Sequence, residues 1–79
     1  MINIKILGSG CANCKRLEQV ARKVVDNLAI EAEIEKVTDF NEIMKWPILS
    51  TPGLVINEKL VSAGRIPTEA QISEWLKAA

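Results

Sequence analysis

Two cysteines separated by two residues, Cys11 and Cys14, constrain this chain most, because they stand where a predicted strand meets a predicted helix. The strand is an apolar run that ends at Leu7. Gly8 and Gly10 then allow a sharp turn, since glycine lacks the Cβ that clashes at positive φ. A helix N-terminus leaves backbone N–H groups free and carries the positive end of the helix dipole, and both favour a thiolate. The thiolate is the nucleophile and the metal ligand, so this junction is the predicted functional site.

Size and composition favour one small domain over residues 1–79 that binds neither nucleic acid nor a membrane. Apolar residues make up 48% of the chain, enough for a core, and the net charge of zero argues against a nucleic-acid partner. No apolar run is as long as a membrane span. Met1 leads directly into a strand, without the pattern of a secretory signal, so the cytoplasm is the expected location. Thiols stay reduced there, and a cysteine pair is more often catalytic or metal-binding than structural.

Hydrophobic periodicity predicts an α/β fold with the element order β-α-β-α-β-β-α. An apolar stripe at helical spacing predicts the first helix over Ala12–Leu28, with Cys14 buried and Cys11 more exposed. The other predicted elements are the strands Met1–Leu7, Ile30–Val37, Gly53–Ile56 and Leu60–Ala63, a short helix after Asp39 that turns Phe40, Ile43 and Met44 inward, and a last helix capped by Thr68 and Gln71. The helical crossover makes the first two strands parallel, and a hairpin adds an antiparallel pair. We therefore expect a four-stranded mixed sheet with helices on both faces.

The Cys-x-x-Cys pair allows three interpretations. Its spacing brings two sulfurs within bonding reach across one helical turn, which predicts thiol–disulfide redox chemistry. A purely structural disulfide would close a short ring that ties no distant elements together, for a stabilisation of about 2 kcal/mol. A metal site is the third interpretation, although two cysteines without histidine cannot complete a four-ligand zinc site unless carboxylates help.

Three segments together resemble the thioredoxin-fold superfamily, and most of all its small, glutaredoxin-sized redox-active disulfide proteins. They are Gly8–Lys15, which holds the cysteines, Ser50–Asn57, which holds a Thr-Pro pair before the third strand, and Ala63–Pro67. The resemblance covers nearly the whole chain. It implies a thioredoxin-like fold, and the Thr-Pro pair makes it more specific than the cysteines alone.

The resemblance also implies roles for individual residues. Cys11 would be the catalytic nucleophile and Cys14 the resolving thiol, the two forming a disulfide when oxidised. Thr51 and Pro52, joined by a cis peptide bond beside the cysteines, would form the substrate-binding loop. The implied function is exchange of this dithiol with protein disulfides, and a thioredoxin-reductase-type enzyme would be the reductant. No cofactor and no metal are implied.

Several positions depart from the family pattern. Gly10 stands where thioredoxins usually carry tryptophan, and Ala12–Asn13 where they usually carry Gly-Pro. Ala63–Arg65 replaces the Gly-Gly-x-Asp stretch of glutaredoxins. Lys5 falls where thioredoxins place a buried acid, and the alternative is an ordinary lysine that extends from a strand to solvent.

The alternative from another functional class is a metal-binding module similar to small copper chaperones. Those proteins also place Cys-x-x-Cys between the first strand and the first helix, in a β-α-β-β-α-β order. They usually carry methionine two residues before the first cysteine, where this chain has Ser9. The predicted last element is a helix here, and Thr51–Pro52 has no role in that scheme.

Overall fold

The computed structural model, which describes residues 1–79, contains four strands and three helices in the predicted order. The strands are β1 (Ile2–Leu7), β2 (Ala32–Val37), β3 (Gly53–Ile56) and β4 (Lys59–Ala63), and the helices are α1 (Ala12–Leu28), α2 (Phe40–Ile43) and α3 (Glu69–Lys77). The bounds of α1 and β3 match the prediction, whereas the predicted starts of the other three strands move by one or two residues. None of the three helices combines the length and the apolar character that crossing a membrane requires.

The sheet has the strand order β2-β1-β3-β4 and is mixed, as predicted. The β1–β2 pair is parallel, and the β1–β3 and β3–β4 pairs are antiparallel. The cysteine loop follows the carboxyl end of β1. Leu7 at that end pairs with Gly53 at the amino end of β3, so the loop that precedes β3 reaches the same edge of the sheet. The topology therefore brings the cysteine loop and the Thr51–Pro52 loop together.

Helices cover both faces of the sheet, but unequally. On one face α1 and α3 pack over a cluster of nine buried residues that includes Ile4, Leu17 and Leu54. On the other face, α2 and the loop after it cover a cluster of four buried residues: Leu7, Ile43, Ile48 and Val55. Side chains alternate along a strand. Ile4 and Ile6 of β1 therefore face α1, and Lys5 and Leu7 face the thinly covered side.

The prediction that α2 turns three apolar side chains inward is wrong for two of them. Ile43 is buried, but Phe40 is 70% exposed and Met44 is 54% exposed. The helix lasts a single turn, and Trp46 and Ile48 from the following loop pack beside Ile43. These loop side chains take the places over the sheet that Phe40 and Met44 would otherwise fill.

Two element boundaries, the start of α3 and the turn between β3 and β4, have distinctive local geometry. Thr68 Oγ1 accepts the Gln71 N–H and Gln71 Oε1 accepts the Thr68 N–H, both at 3.1 Å, which is the predicted capping box of α3. Asn57 and Glu58 form the turn between β3 and β4 with positive φ angles of 50° and 65°. Glycine is the usual second residue of such a turn, so Glu58 is an unusual occupant.

Candidate redox site

Cys11 is the N-cap residue of α1. Its backbone is extended, and its Sγ accepts the backbone N–H of Cys14 at 3.1 Å. Cys11 is exposed, whereas Cys14 is 5% exposed and belongs to the buried stripe of α1, as its spacing predicted. The N–H donor and the helix dipole both favour negative charge on the Cys11 sulfur.

The two cysteines form a disulfide whose Cα atoms are 5.0 Å apart. The ring closes within the first turn of α1, so it ties no distant elements together and has little structural purpose. No group of three or more histidine, cysteine, aspartate or glutamate side chains is placed to hold a metal ion. Nothing in this geometry favours the metal-binding interpretation.

Gly8 leaves the space that the Cys14 sulfur occupies. A Cβ on Gly8 would overlap Cys14 Sγ and would lie 3.8 Å from Thr51 Cβ. The expectation that both loop glycines use positive φ holds for Gly10, with φ of 86°, but not for Gly8. Gly8 is needed because side chains approach it closely from two sides.

Thr51 and Cys14 are brought together around Gly8. The Thr51–Pro52 peptide bond is cis, and Pro52 is fully buried. The Pro52 carbonyl accepts the N–H of Gly64 at 2.8 Å, which anchors the loop to the end of β4. Thr51 is exposed, and its own backbone N–H and C=O have no hydrogen-bond partner in the protein. These two groups are free to pair with an extended segment of another chain.

Lys5 and Trp46 lie on the opposite face of the sheet from α1. Lys5 Nζ lies 2.8 Å from Glu58 Oε1 and 5.4 Å from the centroid of the Trp46 ring. The hydrogen bond to Glu58 raises the pKa of Lys5 above its ordinary value of 10.5. Lys5 is thus a charged lysine that forms an ion pair at the surface, and it does not line the cavity beside Cys14.

A small cavity of about 80 Å³ lies beside Cys14 and is lined by three charged residues, Lys15, Glu18 and Lys36, and the sequence did not single out the last two. Glu18 lies outside the buried stripe of α1, but its side chain is only 16% exposed. The sequence feature that points to Glu18 as a neighbour of Cys14 is their spacing of four residues, which puts both on one helix face.

A larger concavity of about 310 Å³ begins at Ser9 and Thr51 and extends along α2. Its rim carries three exposed apolar side chains: Phe40, Met44 and Leu49. We call this surface the apolar groove. A group of exposed apolar side chains around one concavity is a candidate interaction surface.

A family model described as a thioredoxin domain matches residues 2–77. The chain belongs to the thioredoxin family. The chain is 42% identical over 78 residues to a thioredoxin of Methanocaldococcus jannaschii, a match that covers 99% of this chain and 90% of the relative. It is 38% identical over 76 residues to a thioredoxin of Methanothermobacter thermautotrophicus, covering 96% of this chain and 99% of the relative.

Family membership and the Cys11–Cys14 pair together make this thioredoxin-family protein a thiol–disulfide oxidoreductase. Its α/β architecture is the thioredoxin-like fold that the sequence motifs implied. Membership also implies, in general terms, disulfide-containing proteins as substrates and a reductase that returns the cysteines to the dithiol state.

Proposed function

We propose that Cys11 attacks the substrate disulfide and that Cys14 resolves the mixed disulfide. The observation that carries this assignment is the contrast between the exposed Cys11 sulfur at the helix N-cap and the buried Cys14 sulfur behind it. The Cys11 thiolate bonds to one substrate sulfur and displaces the other as a thiolate. The Cys14 thiolate then bonds to Cys11 Sγ and displaces the second substrate thiolate. The substrate gains two electrons, and the dithiol becomes a disulfide.

The proposed substrate element is an extended protein segment that flanks a disulfide. The free backbone N–H and C=O of Thr51 support this, since they can pair with an extended chain beside the cysteines. The buried Pro52 fixes the loop that presents them. The apolar groove continues from Thr51 along α2, so a segment paired there would place its neighbouring side chains against Phe40, Met44 and Leu49.

A thioredoxin-reductase-type enzyme is the proposed reductant, and the cytoplasm is the proposed location. A compartment that keeps thiols reduced suits a protein that donates electrons from a dithiol. Residues 1–79 are proposed to act as one domain, which the single continuous sheet and the family match over residues 2–77 support.

The test of the cysteine roles uses single cysteine variants and insulin as the disulfide substrate. Cys14→Ser is expected to accumulate a mixed disulfide with insulin, seen on non-reducing gels and removed by dithiothreitol. Cys11→Ser is expected to accumulate none, and the variant that lacks both cysteines is the blank. Capture by Cys11→Ser and not by Cys14→Ser would reverse the assignment.

A further inference from the structure

Glu18 is placed beside Cys14 by the helix itself. The two residues are four apart on α1, so their side chains lie on one face of the helix. Long helical side chains lean toward the helix N-terminus, which directs Glu18 toward the turn that holds Cys14. Both residues line the cavity of about 80 Å³, which has room for ~2 water molecules. A glutamate with so little exposure needs a cation or a hydrogen-bond donor beside its carboxylate.

Cations hold the Glu18 carboxylate but leave one oxygen available. Arg22 Nη2 and Nε donate to Oε2 at 2.9 and 3.1 Å. Lys36 Nζ of β2 lies 3.8 Å from Oε1, too far for a hydrogen bond, and Oε1 has no other partner in the protein. Lys15 also lines the cavity, and β1 contributes the apolar side chain of Ile6. The carboxylate is therefore fixed in place with a free acceptor atom.

Cys14 has to lose a proton before it can resolve a mixed disulfide, because the thiolate is the attacking form. Its burial disfavours the charged form of the thiol. The backbone N–H of Cys14 donates to Cys11 Sγ, so it does not stabilise negative charge on the Cys14 sulfur. At the β1 position where the resemblance implied an acid, Lys5 points to the opposite face of the sheet and donates to Glu58. Glu18 is the carboxylate that shares a cavity with Cys14.

We propose that Glu18 accepts the proton of Cys14 across this cavity during the resolving step. The proton passes from Cys14 Sγ to Glu18 Oε1, directly or through a bridging water. The Cys14 thiolate then attacks Cys11 Sγ, which forms the intramolecular disulfide and releases the second substrate thiolate. Glu18 returns its proton to bulk water. The inference rests on the proposed role of Cys14 as the resolving thiol.

The experiment follows the reaction of the reduced protein with the aromatic disulfide DTNB by stopped flow. Attack by Cys11 releases a first thionitrobenzoate, and resolution by Cys14 releases a second. We expect Glu18→Gln to slow the second phase about tenfold or more at pH 6–7 and by much less near pH 9, where hydroxide ion can remove the Cys14 proton in place of Glu18. The first phase should change little, and Glu18→Asp should restore part of the second. Glu69→Gln is the matched control, since Glu69 pairs with Lys23 on the surface.

Two results would overturn the inference. If Glu18 acted only through its negative charge, its removal would make Cys14 easier to ionise and would speed the second phase at low pH. A purely structural role would slow that phase by the same factor at every pH. Release of only one thionitrobenzoate per molecule of the unmodified protein would instead contradict the role of Cys14 itself, so the two failures are distinguishable.

Discussion

Lys5 Nζ lies 2.8 Å from Glu58 Oε1, and this ion pair joins β1 to the turn between β3 and β4. Glu58 has a φ of 65°, a conformation that is unfavourable for any residue with a Cβ. The Trp46 ring lies beneath the same ammonium group. The turn is therefore tied to β1 through Lys5, whose ammonium group is itself placed over the Trp46 ring, although Glu58 is unfavourable at its position.

We expect Lys5→Met to lower the free energy of unfolding at pH 7, because Glu58 and the Trp46 ring lose their cation. Glu58 raises the pKa of Lys5 above 10.5. The contribution of the ion pair is therefore complete below that pH and is lost as the pH rises through the raised pKa. Urea unfolding of both proteins at pH 7 and at increasing alkaline pH measures the difference, which should shrink in the alkaline range.

Glu58→Gly is the companion variant for this prediction. It removes the same ion pair but also places glycine at a positive φ, so its loss of stability should be smaller than that of Lys5→Met. Equal losses in the two variants would contradict the backbone strain at Glu58, and a difference between Lys5→Met and the unmodified protein that does not change with pH would show that the ion pair does not support the turn.

The parts of the fold that the sequence predicted correctly depend on local signals. The helical spacing of Cys14 and the N-cap position of Cys11 are set within one turn of α1. The capping box of Thr68 and Gln71 likewise involves residues three apart. Such patterns specify their own geometry, so the exposure of the two cysteines followed from the sequence alone.

The parts that could not be predicted depend on what distant segments place against an element. Phe40 matches the inward stripe of α2, but Trp46 and Ile48 occupy the sheet face instead. Glu18 lies outside the buried stripe of α1, and its low exposure goes with the approach of Lys36 from β2, which is distant in sequence. Periodicity along one element carries no information about which neighbour covers it.

The close approach at Gly8 predicts that even one methyl group there disturbs the redox site. In Gly8→Ala the new Cβ would overlap Cys14 Sγ, so the sulfur has to move away from its present position. A displacement of about 1 Å in a reacting group can cost about a hundredfold in rate. We expect insulin reduction to slow by about tenfold to a hundredfold, as measured by turbidity under conditions where the protein stays folded.

Gly10→Ala is the matched control for this loop. Gly10 has a φ of 86°, and no atom lies within 4 Å of the position its Cβ would take. We therefore expect a loss of about 1–2 kcal/mol in the free energy of unfolding, with insulin reduction close to the unmodified rate. If Gly8→Ala reduced insulin as fast as Gly10→Ala, the space beside Cys14 would not be required for exchange.

The apolar groove predicts a difference between protein and small-molecule substrates. Leu49 is fully exposed on its rim, and a substrate segment paired with Thr51 would cover it. Because burial of a leucine side chain contributes about 1.5–3 kcal/mol, Leu49→Ser should lower kcat/KM for insulin by about tenfold while leaving the reaction with DTNB unchanged. Lys59→Ser shortens an exposed side chain at the opposite end of the sheet from the cysteine loop, and it should change neither reaction. An equal loss with insulin and DTNB would mean that Leu49 supports the cysteines and not the bound protein.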